Sequence, residues 1–221
     1  GHQQHHHAGM SDGFFLVLNR PERAGNTTLA TALADLFRAA GHQPVTVREP
    51  GGTPAAEALR QVLLGFSGNL SGEQELLFMT AARADLVART IRPALAQGRV
   101  VLSDRYELST MAYQGAGRGL PADKVEFVNH CATGGLRPDL TLVLDLPPEL
   151  GAERQLASGQ TQDRLDREPM EFHRRVAARY LAERGPGVVH LDATLAPLPL
   201  ADSAWAAVLS ARPALVPAGA R

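Results

Sequence analysis

Apolar residues along this chain fall in two rhythms. Short, mostly apolar runs at Phe14–Leu18, Pro44–Val47, Arg99–Ser103, Leu140–Asp145 and Val188–Leu191 read as buried strands. Longer patterns between them predict helices over about Thr27–Ala40, Ala55–Leu64, Glu73–Gln97, Ala122–Thr133 and Leu200–Leu209. A charged helix-loop-helix is predicted over about Pro148–Glu183. Gly41 is a C-cap candidate for the first helix. Arg48–Thr53 reads as a tight loop, Gly115–Gly119 as a glycine-rich stretch ahead of the Ala122 helix, and Pro213–Arg221 as a loose tail. Strands alternating with helices imply βαβ units. The expected architecture is α/β: three layers, with a parallel five-stranded sheet and helices on both faces. Neither a repeat nor a linker interrupts the pattern, so residues 10–212 are expected to form one domain.

Composition narrows the class. A chain of 221 residues, 44% hydrophobic, can bury a sizeable core. A formal net charge of -1 argues against a general nucleic-acid binder. No apolar run reaches the ~18 residues of a membrane span, so no membrane partner is expected, and a cytoplasmic protein is. Residues 1–9 read as an expression tag ahead of a native start at Met10 and stand outside the fold argument. Cys131 is the single cysteine, which excludes an intrachain disulfide; it is expected as a small buried hydrophobe. Basic charge is carried by arginine, with Lys124 the only lysine.

In a parallel α/β sheet the ligand sits at the carboxyl ends of the strands, and the unusual polar groups fall there. The first strand runs into Arg20-Pro21-Glu22-Arg23-Ala24-Gly25-Asn26-Thr27-Thr28, a layout close to a P-loop, G-x-x-x-x-G-K-[ST]. In that motif backbone amides cradle phosphates, the lysine reaches the β and γ phosphates, and the hydroxyl holds Mg²⁺. Gly25 and Thr27 fit, whereas Arg20 stands at the first glycine and Asn26 at the lysine. Taken alone, the segment is weak evidence and reads first as an ordinary strand-to-helix turn with Thr27 as N-cap.

The rest of the chain decides the matter. Arg48-Glu49-Pro50-Gly51-Gly52-Thr53, Asp104-Arg105-Tyr106, Ser109-Thr110, Ala112-Tyr113-Gln114-Gly115 and Arg137-Pro138-Asp139-Leu140-Thr141 leading into Leu144-Asp145 stand in one order. At this spacing they resemble the thymidylate kinase family from Phe14 to about Asp192. The resemblance implies a P-loop nucleoside monophosphate kinase fold and transfer of the γ phosphate of ATP, with Mg²⁺, onto dTMP. It implies dTMP and ATP as substrates and a homodimer. Residue by residue, Glu22 matches the contact to the 3′-hydroxyl, and Arg48 and Arg105 match the arginines on the dTMP phosphate. Asp104 matches the carboxylate near the metal and the transferring phosphate, with Thr27 the hydroxyl ligand. Arg83 matches the arginine on the thymine carbonyl, Thr110 and Gln114 the side chains at the thymine edge, and Tyr113 the ring that crowds the 2′ position. Arg23 matches a P-loop arginine that stabilises phosphoryl charge. Arg164 and Arg167 lie in a lid over about Ala157–Glu168, placed to close over ATP or to form a solvated loop. Glu49 and Asp139 are expected to hold loops.

Three positions depart from the family: Asn26, Arg20, and Met79 where an aromatic stacks on thymine. Asn26 donates hydrogen bonds but carries no charge, and losing one electrostatic stabiliser of a transition state typically costs ~10²–10³ in rate. Two readings follow: a dTMP kinase in which Arg20 or Arg23 replaces the lysine, or a pseudokinase that binds dTMP or a partner without efficient transfer. A third, a kinase for another nucleoside monophosphate, is motivated by Met79.

Overall fold

The computed structural model describes residues 13–21 and 27–217, Thr27 by its backbone alone. Five strands, β1 Phe14–Asn19, β2 Val45–Arg48, β3 Val100–Asp104, β4 Leu140–Asp145 and β5 Val188–Asp192, form one parallel sheet in the order β2-β3-β1-β4-β5. The helices are α1 Thr27–Ala39, α2 Pro54–Gly65, α3 Gly72–Leu86, α4 Arg92–Ala96, α5 Glu107–Thr110, α6 Ala122–Thr133, α7 Pro148–Ser158, α8 Met170–Ala182 and α9 Pro197–Ala211. Central β1 is buried along its whole length because helices cover both faces of a parallel sheet.

On one face α1 and α9 close over Phe14, Leu16, Leu18, Leu142 and Leu144, with Phe37 and Trp205 packed edge to face at 5.0 Å. The other face holds Phe15, Val17 and Val101 against Leu86, Val87, Ile91 and Tyr106. Beside it Val143 packs with Tyr113, Phe172, Val176 and Tyr180. Asp139 ties a loop as expected, its carboxylate accepting the Phe15 N–H at 2.7 Å. Gly41, at φ 91, closes α1: its N–H reaches Arg38 O and the His42 N–H reaches Phe37 O, a Schellman motif.

Several elements differ from the expected ones, each for a local reason. The expected helix Glu73–Gln97 is α3 and α4 joined by a π-helical segment, Val87–Ile91. Pro93 lacks an N–H, and its ring crowds the carbonyl four residues back, so the hydrogen-bond register widens just before it. The glycine-rich stretch is helical at its start. It ends α5 as a π-helical segment, Met111–Gly117, and a Cβ at Gly117 would stand 2.6 Å from the Phe172 ring. Glycine is there for close packing. Cys131 is exposed, a correction: α6 buries the stripe Val125, Asn129, Thr133, and position 131 lies off it. The tail is also corrected at its start. Pro213–Leu215 forms a 3₁₀ turn, Leu215 and Val216 are buried, and the Leu215 carbonyl lies 2.6 Å from His42 Nε2. No helix among the described residues is long and apolar enough to cross a membrane.

Candidate active site

Register sets the site. Leu18 of β1 and Arg48 of β2 both pair with Asp104 of β3, so three neighbouring strands end level with one another. Arg20, just past β1, reaches across to Asp104: Nε donates to Oδ1 at 3.2 Å and Nη2 to Oδ2 at 3.0 Å. This fork-on-fork pair is largely shielded, its side chains 15% and 14% exposed. Arg48 is the opposite case, 59% exposed and only loosely paired with Glu57 at 3.8 Å.

Arg105 takes φ 79, left-handed for a residue with a side chain. Such backbone costs about 1–3 kcal/mol and clusters at functional sites. Two bonds hold it, from its N–H to Leu18 O at 2.8 Å and from Ser103 Oγ to its carbonyl at 2.6 Å. The side chain is buried, with Cζ 5.4 Å from the centre of the Tyr113 ring. Pro21 is half-buried and Thr28 is exposed on the first turn of α1. The expected phosphate-loop residues Glu22, Arg23, Ala24, Gly25 and Asn26 lie outside the described residues.

The acceptor side is built on α3. Ser71 and Gln74 cap its start reciprocally, a capping box. Glu75, Met79 and Arg83, four residues apart, then form one buried stripe. Arg83 is 1% exposed and its five N–H groups are all used inside the protein. Nε and Nη2 bond Glu49, at 2.8 and 2.7 Å. Nη1 bonds Thr110 Oγ1 at 3.0 Å and Asn129 Oδ1 at 2.6 Å, and Nη2 bonds the Tyr106 carbonyl at 2.9 Å. The resemblance implies a thymine contact for Arg83; in this structure its N–H groups bond these protein acceptors. Burial pushes the Glu49 carboxyl above its ordinary range, with Arg83 pulling it back. Tyr113 is buried against Phe172 and Tyr180, at 6.0 and 6.3 Å between ring centres. Gln114 is buried with Nε2 3.5 Å from Glu75 Oε1, while its own Oε1 makes no hydrogen bond among the described residues.

Glu75, together with Arg118, is the part sequence reasoning missed. It is buried, bonded by both forks of Arg118 at 2.7 and 2.9 Å and closely by Arg164 Nη2. A carboxylate on the otherwise apolar face of a predicted helix was the available signal. Arg164 also donates to Leu63 O at 2.8 Å, so it bolts the lid to α2 and α3. Arg167 is exposed and bonds Gln162 O within the lid at 2.9 Å. A cleft of 680 Å³ between α5, α6 and the end of α8 reaches Asn19 and Arg137 but not Arg20, Arg48, Arg83 or Arg105.

The thymidylate kinase family profile matches residues 21–199. The chain is 48% identical over 198 residues to a thymidylate kinase of Thermomicrobium roseum, covering 88% of this chain and 94% of that one. It is 45% identical over 203 residues to a thymidylate kinase of Deinococcus radiodurans, covering 90% and 98%. A Synechococcus thymidylate kinase is 45% identical over 206 residues, covering 92% and 98%.

Proposed function

This chain belongs to the thymidylate kinase family, and from that premise we propose that it transfers the γ phosphate of ATP to dTMP, giving dTDP and ADP. The observation that carries the reading is the level ending of β1, β2 and β3, which sets Arg20–Asp104, Arg48 and Arg105 side by side at the carboxyl edge of the sheet. Arg48 and Arg105 take the dTMP phosphate, which guanidinium forks suit by bidentate bonding. Strain at Arg105 supports that role, since a costly backbone persists where its side chain is needed in one place. The base meets a wall of Met79, Thr110 and Gln114 braced from behind by Arg83. The buried Gln114 Oε1 supports a place for a thymine N–H, because a buried acceptor is normally satisfied. Tyr113 favours deoxyribose, Glu22 takes the 3′-hydroxyl, and Arg23 stabilises charge on the moving phosphoryl group.

The resemblance also implies a magnesium ion on Thr27 and Asp104. Each oxygen of Asp104 accepts one bond from Arg20 and keeps a second acceptor site for a metal-bound water or the ion itself. In our reading magnesium belongs to the ATP chelate that arrives as substrate, and the protein's own arginines orient the phosphates. The chain works in the cytoplasm as a homodimer, a reading supported by exposed Phe66, Leu77 and Phe127 beside α2, on α3 and on α6 and tested by light scattering.

A coupled ADP-release assay with dTMP, dUMP, dCMP and dGMP as acceptors tests the function. Turnover fastest with dTMP is expected. Micromolar dTMP binding without ADP release would overturn the kinase reading, and faster turnover of another acceptor would overturn the assignment of the base.

A further inference from the structure

Two side chains of α3 hold the wall that the base meets, from opposite ends of one buried stripe. Glu75, Met79 and Arg83 follow one another at four-residue spacing. At one end Arg83 Nη1 donates to Thr110 Oγ1 at 3.0 Å. At the other, Gln114 Nε2 donates to Glu75 Oε1 at 3.5 Å. Thr110 and Gln114 are four residues apart on α5 and its π-helical continuation, and both are buried. We propose that Glu75 is a specificity-determining positioning residue. It fixes which end of the Gln114 amide faces the base, and so makes the site select a pyrimidine with a hydrogen on N3, thymine or uracil, over cytosine. The inference rests on the reading of Met79, Thr110 and Gln114 as the base site.

An amide side chain has two ends of nearly equal shape and opposite sense: its oxygen accepts and its NH₂ donates. Packing alone does not choose between them, so a neighbour must. Glu75 is wholly buried, and its carboxylate is held by Arg118, Nε on Oε1 at 2.7 Å and Nη2 on Oε2 at 2.9 Å, and by Arg164 Nη2 on Oε2. Arg118 is itself held, by Glu168 at 2.9 Å and over the Phe172 ring at 4.8 Å. A carboxylate gripped by two guanidinium groups offers only acceptors, so the amide end beside it is the NH₂. That turns Gln114 Oε1 away from Glu75, and this buried oxygen makes no hydrogen bond among the described residues. Thymine and uracil bring an N3–H to such an acceptor. Cytosine brings a lone pair at N3, so two acceptors would face each other in a buried place. Thr110 adds to the choice. A hydroxyl that accepts from Arg83 turns its own hydrogen elsewhere, which suits a 4-keto oxygen and opposes a 4-amino group.

The binding arm of the test does not depend on turnover. Calorimetric titration of the full chain with dTMP, dUMP and dCMP is compared for wild type, Glu75→Gln, Gln114→Met and the double variant, with melting temperatures recorded and the same acceptors run in the ADP-release assay. Wild type is expected to bind dTMP and dUMP each about tenfold or more tightly than dCMP. In Glu75→Gln the new carboxamide keeps its oxygen where Arg118 and Arg164 both donate, at the former Oε2. Its NH₂ then stands beside Gln114, whose amide flips to accept from it and presents NH₂ to the base. The ratio of dTMP to dCMP affinity should fall about tenfold or more, while the ratio of dTMP to dUMP stays within about twofold, since the flip does not touch the 5-methyl group. Gln114→Met should lose the same discrimination, and adding Glu75→Gln to it should change the ratio no further. Should Glu75→Gln not fold, Glu75→Gln/Arg164→Met removes one charge of each sign and carries the same expectation. The inference is overturned by an unchanged dTMP-to-dCMP ratio in the Glu75 variants or in Gln114→Met, by an equal fall in the dTMP-to-dUMP ratio, or by a further effect of Glu75→Gln on top of Gln114→Met. A wild type that prefers dCMP, or binds none of the three, overturns it too. A wild type whose preference is lost in Glu75→Gln but which releases no ADP leaves the inference standing and removes the kinase reading. Turnover fastest with dTMP, with the preference intact in Glu75→Gln, does the reverse.

Discussion

The acceptor and donor sides of this site are held by different physics. On the acceptor side the charges are inside: Glu49 with Arg83, and Glu75 with Arg118 and Arg164. On the donor side the fork of Arg20 on Asp104 lies at the end of β3, largely shielded but not fully buried. A buried ion pair is a poor source of net stability, but removing one partner leaves an uncompensated buried charge, which typically costs about 3–5 kcal/mol. An exposed arginine such as Arg48, by contrast, can be removed at little structural cost. Charges that stabilise the fold and charges that act on substrate are therefore separable in this molecule.

Arg83→Met should break the comparison most strongly. It leaves Glu49 buried without its partner and strips donors from Thr110, Asn129 and the Tyr106 carbonyl, so a loss of about 3–5 kcal/mol is expected in urea unfolding. The double variant Arg83→Met/Glu49→Gln should lose less than the two singles summed; strict additivity would show that the pair is not coupled. Arg48→Ala is the opposite case. Its melting temperature should stay within a degree or two of wild type, while the KM for dTMP rises at least tenfold, in line with the roughly 1.5–3 kcal/mol of a hydrogen bond to a charged group. A large fall in stability there would mean that Arg48 belongs to the scaffold. The smallest effect is a matter of pH. Burial raises the Tyr106 phenol above its ordinary range, with Glu107 adding to the shift, and its hydroxyl donates to Leu136 O at 2.9 Å. Since the folded value lies above the unfolded one, this stabilisation is complete below about pH 10 and is lost as the pH rises through the folded value. Tyr106→Phe should cost about 1 kcal/mol at neutral pH and then show a flatter stability curve than wild type above pH 10.

Much of the scaffold was legible because it depends on local pattern. The strand Leu140–Asp145 and the helix Ala122–Thr133 appear with the boundaries their residues predict. Arg48, Asp104 and Arg105 were legible too, since polar residues closing apolar runs mark strand ends. What the pattern did not reveal depends on partners distant in sequence. Gly115–Gly119 read only as a glycine-rich stretch, and the reason for glycine at 117 is the Phe172 ring, 55 residues further on. Arg83 was visible as a cation on α3, but which acceptors would take its five N–H groups depends on Glu49, Tyr106, Thr110 and Asn129 meeting there. Glu75 was hidden for the same reason, its two arginines lying 43 and 89 residues further on.

The Glu75 anchor also limits mechanical travel. Gly159 ends α7 in a left-handed turn, and from Asp163 onward the chain is pinned: Asp163 and Asp166 exchange backbone-to-carboxylate bonds, and Arg164 is riveted to α2 and α3. Only residues 160–162 lie between those two fixed points. The four steps from Gly159 to Asp163 span about 13 Å at full stretch, which bounds how far the end of α7 can part from the pinned segment while the rivet holds. A wider swing must carry α2 and α3 along, so opening over the donor and reshaping of the acceptor wall would become a single movement.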